Sequence, residues 1–225
     1  DTLLIICSAS NSLNCLQLLL NKGAKVNLQN KEGATALIEA AGRGYYNCMK
    51  LLMNAGADIN LADNDGRTAV MEAAYNGHYE CLKELISAGA ILEDPKSECD
   101  DTVLRSAVRS GNIECIKLLL QSGVNPNHYE DRSDNAVTLA TRLNKPNILQ
   151  LLIEAGANLD LPGKYHETAL IIAAEGGYDK CLRHLLAGGA SVNSYRKSGR
   201  NAIETAQSNN QTKCLRILKK HTNYL

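Results

Sequence analysis

GRTAVMEAAYNGHYECLKELISAGA, residues Gly66 to Ala90, contains one complete folding unit. The residues Asp63-Asn64-Asp65 and Gly66 supply turn chemistry, because Asn and Asp side chains bond nearby backbone and Gly accepts positive φ. Thr68 stands where a helix N-cap is expected, ahead of Ala69, Val70, Ala73 and Ala74. These alanines are small enough for a neighbouring backbone to approach closely. Asn76-Gly77 ends the helix, since Gly is favoured just past a helix terminus. Cys81, Leu82, Leu85 and Ile86 then form the apolar stripe of a second helix, closed by Ala88-Gly89-Ala90. Helices of about nine residues are unstable alone in water, so the unit requires neighbours.

The neighbours are in the chain. Thr68 has equivalents at Thr2, Thr35, Thr102, Asn135, Thr168 and Asn201. Cys81 has equivalents at Cys15, Cys48, Cys115, Ile148, Cys181 and Cys214, and Gly89 at Gly23, Gly56, Gly123, Gly156 and Gly189. Every step is 33 residues except between the third and fourth copies, where Thr68 to Thr102, Cys81 to Cys115 and Gly89 to Gly123 are each 34. Three markers keeping one period define a repeat array.

The period and the runs TALIEAAGRG (35–44), TAVMEAAYNGH (68–78) and TALIIAAEGG (168–177) resemble the ankyrin repeat family, whose signature is T-P-L-H-x-A. LLMNAGADIN (51–60) and LLIEAGANLD (151–160) match its trailing segment. The signature Pro is Ala in the best copies, and its His is Ile38, Met71, Arg105 or Ile171. The resemblance implies an all-α solenoid of helix-turn-helix units with protruding turns. It would be one domain over 1–225, with repeats at about 1–29, 30–62, 63–95, 96–129, 130–162, 163–195 and 196–225.

Composition narrows the function. Lys plus Arg and Asp plus Glu both number 24, so the chain lacks the basic surplus of a general nucleic-acid or anionic-membrane binder. No apolar run reaches 18 residues, and DTLLIICSAS has no basic leader; neither a membrane span nor a signal peptide is expected. Six of the eight cysteines share one second-helix position. Stacked helices lie about 8–10 Å apart, beyond disulfide reach, and no CxxC pair occurs. These thiols, and Cys7, are expected to be buried apolar groups; Cys99 falls on an exposed turn. Reduced thiols point to an intracellular, cytoplasmic setting. The apolar run Leu3-Leu4-Ile5-Ile6 predicts that further sequence of a longer parent covers the first repeat.

Departures from the template locate the remaining features. The insertion Glu93–Asp101 carries five acids and one Lys, which reads as a solvated loop or an acidic binding edge. Repeat five has Asn144 in place of the helix-breaking Gly, and Pro146 in the first turn of its second helix, where a missing N–H has no cost. Repeat seven is polar at Gln207–Thr212 and ends in Lys219-Lys220-His221, which suits the negative end of a helix dipole and a C-terminal cap. His78 opens a second helix and is expected to be structural.

No GxSxG, P-loop, GxGxxG or HExxH is present, and the titratable residues recur with the repeat instead of converging. The chain is therefore expected to be non-enzymatic and cofactor-free. The resemblance implies that turn tips and first helices line a concave partner-binding face. Tyr and Arg dominate binding hot spots, and the candidates on that face are Arg67, Glu72, Tyr75, Asn76, Arg105, Arg109, Tyr129, Arg132, Arg142 and Tyr165. The expected role is a monomeric scaffold or adaptor holding a protein segment on repeats three to six; the alternative is a regulatory or spacer arm of a kinase, channel or ubiquitin-ligase adaptor. The resemblance also marks Asn60, with Asp58 and Leu52, as a candidate hydroxylation site.

Overall fold

Alternating caps and breakers cut the chain into short helices joined by tight turns. The computed structural model describes residues 2–93, 101–128, 133–194 and 199–222, and among them fourteen α-helices occur and no strand. The chain forms two compact units, Asp1–Val124 and Asn125–Leu225. In the first unit, hairpins pair α1 (Leu3–Ala9) with α2 (Leu13–Asn21), α3 (Ala36–Gly42) with α4 (Tyr46–Asn54), α5 (Ala69–Tyr75) with α6 (Tyr79–Ser87), and α7 (Val103–Ser110) with α8 (Ile113–Gln121). The first helices α1, α3, α5 and α7 stack in one row, and α2, α4, α6 and α8 in a second. In the second unit, α9 (Ala136–Arg142), α11 (Ala169–Gly176) and α13 (Ala202–Ser208) form one row. The helices α10 (Pro146–Glu154), α12 (Asp179–Ala187) and α14 (Thr212–Thr222) form the other.

Small residues explain the close first-helix row: Ala36, Ala40, Ala41, Ala69, Ala73 and Ala74 are all buried against neighbours. From α4 onward, one leucine position in every second helix fills the interior, at Leu52, Leu85, Leu119, Leu152, Leu185 and Leu218. Pro146 opens α10 as expected. The breaker position between paired helices is held by Asn11, Gly44, Gly77, Gly111, Asn144, Gly177 and Asn210, all at positive φ. Asn substitutes for Gly there because it tolerates the left-handed region better than other side chains.

The first-helix caps hold with two exceptions, Thr68 and Thr168, whose buried Oγ1 atoms make no cap hydrogen bond. The Oγ1 atoms of Thr2, Thr35 and Thr102 accept from Ile5, Ile38 and Arg105 N–H, and Asn201 with Glu204 makes a full capping box. Thr68, the expected cap of α5, has the same extended backbone but no cap hydrogen bond, and its buried Oγ1 has no partner. The expectation for Thr68 is thus corrected: the Asp63 turn and the Ala62–Thr68 bridge hold the helix entry instead. Removing a hydroxyl that caps should cost about 1 kcal/mol, while removing an unsatisfied buried one should cost nothing or stabilise. The thermal unfolding midpoint should therefore fall for Thr35→Val and stay unchanged or rise for Thr68→Val; equal destabilisation would show that both hydroxyls are satisfied.

Candidate partner-binding site

The turn tips are built by Asx chemistry and locked to their neighbours. Asn30 Oδ1 accepts from Glu32 and Ala34 N–H, and Asp63 Oδ1 accepts from Asp65 and Arg67 N–H. Asn64 then reaches back one repeat, donating through N to Glu32 O (3.0 Å) and through Nδ2 to Lys31 O (2.9 Å). Gly33 sits under this contact; a Cβ there would lie 2.6 Å from the Asn64 backbone N.

In repeats three to five an i, i+8 pair ties the tip to the end of the helix that follows. In repeat three it is Arg67 and Tyr75, with the guanidinium carbon 5.6 Å from the ring centroid. Arg67 Nη1 also pairs with Glu72 Oε1 at 3.0 Å, a bond that raises the Arg67 pKa. In repeat four the pair is Asp101 and Arg109 (3.2 Å), joined by Arg105 Nε at 3.3 Å. In repeat five it is Asp134 and Arg142. The guanidinium grips Asp134 through Nε (2.9 Å) and Nη2 (3.2 Å), and Nη2 also donates to Glu167 Oε1 at 2.8 Å. Burial alone would raise the Asp134 pKa, but the hydrogen bonds and charge of Arg142 reverse this and hold it below the ordinary carboxylate value.

These contacts sort the candidates. Arg67, Glu72, Tyr75 and Asn76 gather on one patch of the first unit, and Tyr75 is 41% exposed. Arg105 is only 7% exposed and lies against Asp101. Arg109 and Arg142 are engaged by carboxylates of their own chain, so their charges are already answered internally. Tyr165, 60% exposed, stacks on Arg142 with the guanidinium carbon 5.4 Å from its centroid. Tyr129, Arg132 and Cys99 lie outside the described residues, as does the insertion apart from Glu93 and Asp101. Beside the repeat-three patch, an open groove of about 550 Å³ runs between repeats two and three. Glu32, Glu39, Asp63, Glu72 and Arg43 line it over an apolar floor of Ala34 and Ile38.

The remaining singled-out residues make hydrogen bonds between repeats. His78 Nε2 donates to Gly42 O at 3.1 Å, and Asn112 and Gln211, at the same repeat position, donate to Gly77 O and Glu175 O. Asn60 Oδ1 accepts from Ile91 N–H (2.9 Å), one rung of a loop ladder that repeats at Asn27–Asp58, Asn127–Asn158 and Asp160–Ser191. Sequence reading missed this ladder, although its signal, Asn or Asp at a fixed repeat position, was available.

Five of the six second-helix cysteines are buried, but Cys15 is exposed and Cys7 half-buried, correcting the expectation for both. Cys15 belongs to the first repeat, where none of the described helices covers the position that is sealed at Cys48 and beyond. For the same reason Leu3, Ile6 and Leu18 are exposed. Burial, helped by the adjacent Glu80, Glu114 and Asp179, pushes the thiols of Cys81, Cys115 and Cys181 up to about 11. Thiolate is the reactive form, so iodoacetamide at neutral pH should label Cys15 while leaving these three untouched until the chain unfolds. Native labelling of Cys81 at the Cys15 rate would contradict the packing.

No helix among the described residues is long and apolar enough to cross a membrane. The ankyrin repeats family model matches three times, at residues 3–96, 91–162 and 140–224. The structure is similar to the crystal structure of the human ASB11 ankyrin repeat domain, with a TM-score of 0.88 and 25% identity over 97% of this chain and 98% of that one. It is also similar to the ankyrin repeat domain of Bcl-3, a member of the IkappaB protein family, with a TM-score of 0.83 and 25% identity over the same shares. No curated protein sequence matches. With the family model accounting for nearly every residue and the helix pairs repeating at its period, the chain belongs to the ankyrin repeat family.

Proposed function

We propose that this chain is a non-enzymatic protein-interaction module whose concave face, built from turn tips and first helices, holds a partner segment. The observation that supports this best is the repeat-three patch. Arg67 and Tyr75 stack at the margin of the open groove, which Glu39 and Glu72 line from successive first helices, half-buried and paired with Arg43 and Arg67. An exposed aromatic held flat by a cation is a large contact surface already ordered before binding, which lowers the entropic cost of association. Tyr165 on its Arg142 shelf offers the same device in the second unit. Arg105 and Arg109 in the first unit, and Arg142 in the second, hold the tips of their own repeats in place.

The test is quantitative affinity capture from the source cells, comparing the wild-type chain with Arg67→Glu/Tyr75→Ala. Loss of a hot spot worth about 2 kcal/mol lowers affinity about thirtyfold, so a partner of this face should vanish from the variant's capture. The proteins captured by wild type should persist on a fold control such as Lys22→Glu. Identical captures with wild type and double variant would exclude the placement.

A further inference from the structure

The chain is neutral, but its charge is not evenly spread. The second helices of the last two repeats, α12 and α14, carry Lys180, Arg183, Lys213, Arg216, Lys219 and Lys220 against one carboxylate, Asp179. All six cations are exposed. Earlier repeats do not share this. At the position of Lys180 and Lys213 they have Asn14, Asn47, Glu80, Glu114 and Asn147. Glu114 pairs there with Lys117 at 3.0 Å, and Lys50 pairs with Glu84 at 3.2 Å. In repeats six and seven the acid of that pair is replaced by lysine, so Arg183 faces Lys180, and Arg216 faces Lys213, at the i, i+3 spacing where like charges repel. Among the described residues no carboxylate pairs with any of these four.

The helix dipole does not account for the pattern. Lys219, Lys220 and His221 in the last turn of α14 suit it. Lys180 and Lys213 lie in first turns, where positive charge is disfavoured. Beneath the charges, a cleft of about 350 Å³ opens between the two helices. Leu186, Ala187 and Ile217 form its apolar floor, and Arg183, Lys220 and His221 its basic rim.

We infer that the α12–α14 face is a second docking surface, for an acidic protein segment that places a large apolar side chain in the cleft while flanking carboxylates meet Arg183 and Lys220. The apolar floor requires the side chain, and the uncompensated rim requires the carboxylates. A nucleic acid fits less well, because neither helix carries a Tyr, Phe or Trp on which bases stack. A membrane fits less well, because Ile217 is half-buried and no aromatic or long apolar residue protrudes to insert. This surface is formed by second helices and does not rest on the first-helix face proposed above.

The experiment is fluorescence anisotropy of the full chain with a short fluorescein-labelled peptide in which Glu and Asp flank a Leu. Expected results are saturable binding that weakens with salt, and a loss of about tenfold or more, equivalent to ~1.4 kcal/mol, in Arg183→Glu/Lys220→Glu and with a Leu-to-Ser peptide. Arg67→Glu/Tyr75→Ala should bind the peptide like wild type, which separates this surface from the first-helix face. Circular dichroism checks that each variant is folded, with Arg183→Gln/Lys220→Gln as the milder pair. The proposal is overturned by absence of peptide binding, by equal binding of the charge-reversed variant or the Leu-free peptide, or by tighter binding of oligouridylate or phosphatidylserine vesicles than of the peptide.

Discussion

Arg142→Ala should destabilise the second unit by about 2–3 kcal/mol at neutral pH, more than loss of any other single charged side chain described above. The guanidinium is the partner of two carboxylates. Asp134, with 11% of its side chain exposed, comes from its own turn, and Glu167, with 6% exposed, comes from the turn of the next repeat. Removing one member of a buried ion pair costs about 3–5 kcal/mol because the other charge is left desolvated and unanswered. Arg142 is itself 32% exposed, and water reaching it lowers that figure.

The pH dependence gives a second readout. The folded-state pKa of Asp134 is depressed, so its contribution is fully present above the unfolded carboxylate pKa of about 3.9 and is lost as pH falls through the lower folded value. Wild-type stability from this group should therefore hold between pH 7 and pH 5 and decline below about pH 4. In Arg142→Ala the burial remains without the cation, and protonation then favours the folded state. The penalty of the substitution should shrink as pH is lowered from 7 to 4.5. Urea unfolding followed by circular dichroism at both pH values decides this; a penalty under about 1 kcal/mol, or one that grows at low pH, would show that Asp134 and Glu167 are answered by other groups. Charge reversal at Arg142 should for the same reason unfold the tip, so the residue cannot be used as a silent probe of partner binding.

Leu119→Ala should cost about 3 kcal/mol, and Leu118→Ala less than about 1 kcal/mol, although the two leucines are neighbours in the run Leu118-Leu119-Leu120. Leu119 is 0% exposed in the seam between α7, α8 and the adjoining hairpin, whereas its neighbours are only half-buried. Truncating a fully enclosed leucine loses its transfer free energy and leaves a cavity that stacked helices cannot collapse around. A half-buried position refills with solvent and loses only the first part. Hydrogen exchange of the α5–α8 amides should report the same contrast locally, which matters because repeat arrays need not unfold in one step. Equal penalties at the two positions would mean that the second-helix row is packed differently.

The arginines show where the sequence was readable and where it was not. The residue types at Arg67, Arg105, Arg109 and Arg142 suggested a binding surface. Their partners Asp101, Asp134 and Glu167 were equally visible, and two of those pairs even keep a constant i, i+8 spacing. Eight residues along a turn and a short helix is not a contact distance in any regular element, however. Only the fold back of the tip onto the helix end brings Asp134 to 2.9 Å from Arg142. Glu167 is 25 residues away from Arg142, and only repeat stacking makes it a partner.

What the sequence alone determined is everything that local chemistry and the 33-residue period impose. The helix pairs follow from caps and breakers, and the positive-φ position follows from its restriction to Gly and Asn. The array follows because no single pair can bury its own apolar face. What only the tertiary structure decided is which equivalent residues end up equivalent in space. Cys15 is exposed and Cys48 sealed although both follow an Asn at the same repeat position, because burial at that position is conferred by the preceding repeat. Leu119 is core and Leu118 is not, because the register of one helix against the next selects one face. Cation identity was legible at every arginine and lysine; whether each charge is answered within the chain, as at Arg142, or left facing solvent, as at Arg183, depends on the three-dimensional neighbourhood through which Coulomb attraction acts.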